Sequence, residues 1–182
     1  MGMAVSVPRY TVDDLERFPD DGNRYELLDG VLLVTPGPRQ AHQRIAQEIA
    51  ARLWSAVKLP GYGNVVGPGV ISLPPGTQLQ PDILVYAARF GPMVEWARIT
   101  EHWLAIEVLS RSSRVYDREF KRDAYFALGV PQVWLVDLAD RSVEVWRARD
   151  MPEVVRDVIR WRVPGLEVVV PIHLAEVFAG VE

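Results

Sequence analysis

Residues 103–137, WLAIEVLSRSSRVYDREFKRDAYFALGVPQVWLVD, are the stretch whose reading decides the fold. An apolar run of alternating parity is followed by helical spacing, and a second β-rich run closes on Asp137, so the segment predicts strand, helix, strand. In the first run Leu104, Ile106 and Val108 fall on one face and Ala105, Glu107 and Leu109 on the other. Both faces are otherwise suited to burial, as in the central strand of a covered sheet. A lone buried carboxylate is costly, and such a group neutralises, pairs or binds a metal ion. Glu107 therefore marks a candidate site.

Its partners are sought among residues that a neighbouring strand or the following helix would bring to it. Gln80 to Tyr86 is a second strand signal, with Pro81 tolerated at its start and Asp82 at the entry, opposite in parity to Ile83 and Val85. Asp117, Lys121 and Tyr125 recur at steps of four, which sets them along one side of the helix after the Glu107 strand. If the two strands are neighbours and the helix packs on them, two carboxylates and one ammonium converge. Metal-assisted phosphodiester hydrolysis needs such a set, with carboxylate oxygens for Mg²⁺ and a lysine to orient the nucleophile or offset phosphate charge. Without a metal, burial and mutual repulsion should raise the pKa of at least one of the two acids.

At 182 residues the chain reads as a single domain, 1–182, long enough for a substantial core. The absence of cysteine excludes disulfides, thiolate zinc sites and cysteine nucleophiles, and fits a reducing cytoplasm. No run of about 18 apolar residues or basic-then-apolar start predicts a membrane span or signal peptide. A net charge of −4 argues against a broad basic coat while leaving room for a local basic groove. Eighteen of the twenty basic residues are arginine, so lysine at 121, between Arg118 and Arg122, stands out. A compact ammonium is not interchangeable with a guanidinium fork.

Elsewhere, Thr11 with Asp14 three residues on predicts a capped helical start. Arg24 to Leu28 and Val31 to Thr35 flank Asp29-Gly30, a hairpin signal that places Glu26 on the first strand. Ala41, Ile45, Ile49 and Leu53 predict an amphipathic helix over 38–58, with His42 at its start read as capping or structural ahead of catalytic. Residues 87–101 read as a loop with a helical turn, Ser142 to Arg147 as a strand, Val154 to Val163 as a continuing meander with Asp157 at a bulge, and Ile172 to Phe178 as a closing helix. Bland readings stand beside each site candidate. Glu26 could be a solvent-facing hairpin charge, Asp82 a turn cap, and Asp117 with Lys121 an exposed i,i+4 pair. Arg111, Arg114, Arg118 and Arg122 could be a solvated helix face, while Ser110 to Arg114 could equally hold a phosphate with hydroxyls, guanidinium groups and free N–H groups.

Taken together, Tyr25-Glu26-Leu27-Leu28-Asp29-Gly30, Pro81-Asp82, Glu107-Val108-Leu109-Ser110, Asp117 with Lys121, and Gly129 to Asp137 resemble the Uma family of "putative restriction endonucleases", within the PD-(D/E)XK nuclease superfamily. The resemblance runs from about Tyr10 to Phe178. It implies an α/β fold with a restriction-endonuclease-like core: a central mixed β-sheet carrying Asp82 and Glu107, flanked by helices 38–58 and 113–128, with an N-terminal hairpin and a C-terminal β meander. It further implies a Mg²⁺- or Mn²⁺-dependent DNA endonuclease, with Asp82, Glu107 and the Val108 carbonyl as metal ligands, Lys121 and Glu26 as further catalytic groups, and Asp117 and Tyr125 in support. Ser110, Arg111, Arg114, Arg118 and Arg122 would meet DNA. Where the superfamily signature has lysine two residues after the acid, this chain has Leu109, so catalysis depends on Lys121 reaching in from the helix. A homodimer is implied, with the apolar side of the meander at Trp146 and Trp161 as its expected interface. The alternatives are a catalytically silent nucleic-acid- or partner-binding domain on the same fold, and a hydrolase of another phosphate ester.

Overall fold

Asp29-Gly30 makes the first tight connection, with φ of 50° and 78°, the two positive values that a hairpin turn matched to strand twist requires. It joins β1 (Asn23–Leu28) to β2 (Val31–Pro36). The computed structural model describes residues 9–91, 93–109, 116–149 and 151–181, and for 116 and 117 the backbone alone. Before the hairpin, Val12–Arg17 forms a 3₁₀ turn whose Asp14 carboxylate accepts the Thr11 N–H at 2.8 Å, as the capping pattern predicts. After it come α1 (Gln40–Leu53), which runs on as a π turn over Trp54–Lys58, then β3 (Gly63–Val66), β4 (Ile71–Leu73), β5 (Thr77–Leu79), β6 (Ile83–Ala87) and β7 (His102–Leu109). A π turn over Tyr116–Lys121 leads into α2 (Arg122–Ala127), followed by β8 (Val133–Asp137), β9 (Ser142–Trp146), β10 (Glu153–Val155), β11 (Val158–Arg162), β12 (Val169–His173) and α3 (Leu174–Val177).

Six strands form the central sheet in the order β10-β9-β8-β7-β6-β3. Only β7 and β8 run parallel, and such a pair needs a crossover of the length that α2 and its flanks supply. The sheet is thus mixed, as the strand, helix, strand reading of 103–137 predicts. β1 and β2 extend into a second sheet, β2-β1-β5-β4, and β11 pairs with β12 in a third. Parity divides the core. Ile83, Val85, Leu104, Ile106, Val108 and Trp134 pack against α1 residues such as Ile45, Ile49 and Leu53 on one face. On the other, Leu84, Tyr86, Ala105, Leu109 and Leu135 pack with Tyr125 of α2 and with Ile71 and Leu79 of the second sheet.

The C-terminal third departs from expectation in three places. Residues 154–163 are two strands in different sheets, parted at Arg156-Asp157, where the Asp157 carbonyl accepts the Leu174 N–H at 2.7 Å. Pro171 lies within β12, and the closing helix is only one turn, Leu174–Val177. Trp146 and Trp161, expected at a subunit interface, are 8% and 2% exposed and belong to the two core clusters of the single chain.

Candidate active site

The antiparallel register of β6 with β7 pairs Ile83 with Ile106, which sets Asp82 opposite Glu107. Residues directly opposite share a face. The two acids accordingly lie at the same end of this strand pair, where Asp82 Oδ2 accepts the Val108 N–H at 2.8 Å. Both are almost fully buried, at 6% and 2% exposure.

Glu26 reaches the same place from the second sheet. Pairing of Leu27 with Gln78 seats β1 beside β5, and the Gln80 N–H just beyond β5 donates to Glu26 Oε1 at 2.7 Å. The residue is wholly buried, so the solvent-facing reading of this hairpin charge does not describe it. Its other oxygen lies 2.6 Å from Lys121 Nζ, an ion pair without hydrogen-bond alignment. Lys121, at the end of the π turn, also donates to Glu107 Oε1 at 3.4 Å. Tyr125, one turn on, donates its hydroxyl to the same Glu107 oxygen at 2.5 Å. The four-residue spacing of Lys121 and Tyr125 thus aims both side chains at Glu107. Lys121 is 2% exposed and bridges two acids from separate sheets, in contrast to the exposed-pair reading.

Two further residues join the cluster: Arg24, which the sequence does not single out, and His42, for which the sequence favours a capping or structural role over a catalytic one. Arg24 donates one arm to Asp82 Oδ1 and the other to the Gln80 carbonyl, both at 3.0 Å. His42, near the start of α1, sets Nε2 3.0 Å from Asp82 Oδ2, and its buried Nδ1 has no hydrogen-bond partner among the described residues. The only advance sign of either was a polar side chain at the head of an apolar element. Asp82 itself does not show the raised pKa expected of at least one of the two acids. Burial pushes it up, but the His42 hydrogen bond and charge, the Arg24 guanidinium and the Val108 N–H outweigh burial and hold it below the ordinary 3.8.

The remaining candidates lie apart. Arg118 pairs with Asp137 at 3.2 Å and Glu144 at 2.7 Å, toward β8 and β9. Arg122 pairs with Asp123 at 2.8 Å and stacks its guanidinium over Trp146, 4.1 Å from the ring centroid. Ser110, Arg111 and Arg114 fall outside the described residues, as does the side chain of Asp117. Lys58, the other lysine, donates to Asn64 at 2.6 Å, and Asn64 in turn ties down the Ala87 and Phe90 carbonyls.

Among the described residues no three His, Asp or Glu side chains are disposed to hold a metal ion as they stand. Both oxygens of Asp82 are engaged, by Arg24, His42 and the Val108 N–H. The donor chemistry itself fits a hard cation, since three buried carboxylates face two basic side chains and an imidazole, and carboxylate oxygens are the ligands that Mg²⁺ and Mn²⁺ prefer.

A family model named Uma2 and described as "Putative restriction endonuclease" matches residues 12–172. Among solved structures, the chain is similar to a protein from Anabaena variabilis ATCC 29413 titled a "putative nuclease belonging to DUF820", with a TM-score of 0.67 and 21% identity over 92% of this chain and 97% of that one. At that identity the likeness concerns the fold. No curated protein matches.

Proposed function

This chain belongs to the Uma2 family, described as "Putative restriction endonuclease", and on that premise we propose that it is a Mg²⁺- or Mn²⁺-dependent endonuclease hydrolysing phosphodiester bonds of DNA. One observation carries the reading: Glu26 and Glu107, from two sheets, are buried around a buried Lys121, and buried Asp82 accepts the N–H of Val108, next to Glu107. Asp82 and Glu107, with the Val108 carbonyl, would hold the cation, and Glu26 would support a second ion or its waters. When bound, the cation supplies charge neutralisation at the phosphate and an activated water. Lys121 orients the attacking water and offsets charge on the phosphate. Tyr125 fixes the rotamer of Glu107 through its hydroxyl, and Asp117 is assigned to hold Lys121.

For the substrate we assign phosphate contacts to Ser110, Arg111 and Arg114, with Arg118 and Arg122 contributing only if duplex binding draws them from their present ion pairs. A homodimer would address both strands of a duplex. Cytoplasmic location accords with a cysteine-free chain, and no helix of the described residues is long and apolar enough to cross a membrane.

The cations on every acid of the cluster favour a second reading, a catalytically silent nucleic-acid- or partner-binding domain. One assay separates the two. Purified protein is incubated with supercoiled plasmid, linear duplex and single-stranded DNA, with Mg²⁺, with Mn²⁺ and with EDTA. The nuclease reading expects metal-dependent cleavage that EDTA abolishes, and a Lys121→Arg loss of ~10²-fold, because the planar fork does not reproduce a compact ammonium. DNA left intact under all conditions would overturn the nuclease reading.

A further inference from the structure

Arg24 is placed unlike the other basic groups of the cluster. Its side chain is 19% exposed, against 11% for His42 and 3% for Lys121. Lys121 is locked between Glu26 and Glu107, and His42 is rooted in α1. Arg24, by contrast, stands between the buried acids and an open cavity of about 420 Å³ that Phe18, Tyr25, Gln78 and Gln80 also line. Arg24 thus meets the buried acids and also borders open space, whose rim carries Glu16 and Asp20. One arm of the guanidinium is on Asp82 Oδ1 and the other on the Gln80 carbonyl, both at 3.0 Å. Each Asp82 oxygen already has a partner, and Oδ1 has Arg24 as its only hydrogen-bonding side chain among the described residues.

Building on the nuclease reading, we infer that Arg24 is a positioning residue which, in the free protein, occupies the place of a divalent cation at Asp82 and which turns to a substrate phosphate as the cation binds. The same Oδ1 does not serve both partners. A guanidinium on Asp82 weakens cation binding, and a phosphate that draws the guanidinium away strengthens it. Arginine suits both positions because its planar fork matches a carboxylate and a phosphate alike. Cation and DNA then favour each other's binding, and such coupling is reciprocal.

Ca²⁺, as a probe that needs no turnover, tests this by titration calorimetry with and without a short DNA duplex. Arg24→Gln, which keeps a donor for the Gln80 carbonyl but removes the charge, is expected to bind Ca²⁺ about 10-fold more tightly than wild type without DNA, within the usual range of coupling between sites. Duplex should raise Ca²⁺ affinity in wild type and not in Arg24→Gln. Arg24→Lys keeps the charge without the fork, so its Ca²⁺ affinity should stay near wild type while the gain from duplex falls; circular dichroism of each variant checks the fold. Equal Ca²⁺ affinity in wild type and Arg24→Gln, lost in Glu107→Gln, would leave the metal site standing and remove Arg24 from it. An undiminished duplex gain in Arg24→Lys would likewise overturn the role of the fork. Absence of Ca²⁺ binding in wild type and Arg24→Gln alike would overturn the cation site together with this inference.

Discussion

Two clusters of charge meet the central sheet, and they differ in what their acids require. At the end of β8, Asp137 Oδ1 accepts the Ala139 and Asp140 N–H groups at 3.0 and 3.2 Å, and Oδ2 meets Arg118, which Glu144 shares. That arrangement holds a turn. It contains one fully buried acid, and Arg118 remains a third exposed. Around Asp82 and Glu107, three acids at 6% exposure or less face one another across two sheets, with Arg24, Lys121 and His42 between them. Glu26 and Asp82 each have one oxygen on a backbone N–H and the other turned to a basic side chain. Backbone donors stay where the fold puts them, whereas side-chain cations exchange for other cations. Concentrating buried acids is costly to a fold, and an active site is where such a cost is sustained.

The sharpest contrast should appear in stability. Lys121→Ala removes the bridge between Glu26 and Glu107 and leaves buried charge unpaired, which is expected to cost about 3–5 kcal/mol in urea denaturation. The double variant Glu26→Gln with Lys121→Ala should recover part of that loss. A Lys121→Ala cost under about 1 kcal/mol would place this lysine with the exposed pairs instead.

A smaller effect belongs to Asp82 and depends on pH. Its folded pKa lies below 3.8, so its contribution is present above that value and is lost as pH falls through the folded pKa. Wild type should therefore lose stability on acidification below about pH 4, with a shallower slope in Asp82→Asn. Parallel slopes would show that Asp82 is not held by its cations. Tyr125→Phe deletes a hydrogen bond to a carboxylate and is expected to cost about 1.5–3 kcal/mol by the same denaturation. Outside both clusters, Arg122→Ala removes a guanidinium stacked on Trp146 and should cost only about 0.5–1 kcal/mol.

The sequence exposes part of this site because the signals are local. Glu107 interrupts an apolar strand, Asp82 sits at a strand entry, and Lys121 with Tyr125 share one side of a helix; parity and spacing suffice for each. The burial of Glu26 is not legible, since a hairpin read alone turns its charges to water, and it is the pairing of β1 with β5 that encloses this one. Arg24 meets Asp82 across 58 residues of chain, and no local pattern announces such a contact. Lys121 shows the same limit: spacing gives its side of the helix, but only the second sheet over that side makes it a buried bridge. Trp146 and Trp161 read as a surface because the β11–β12 pair and the Arg122 stack that involve them are products of tertiary structure.

DNA cleavage is assigned to the buried cluster, and a structural role alone to the β8 cluster. Plasmid nicking in Mg²⁺ by wild type, Glu107→Gln and Glu144→Gln, each checked for native circular dichroism, tests it most directly. The account predicts EDTA-sensitive nicking by wild type and Glu144→Gln and a loss of ~10²-fold or more in Glu107→Gln. Nicking by Glu107→Gln at the wild-type rate, or no nicking by wild type, would contradict it.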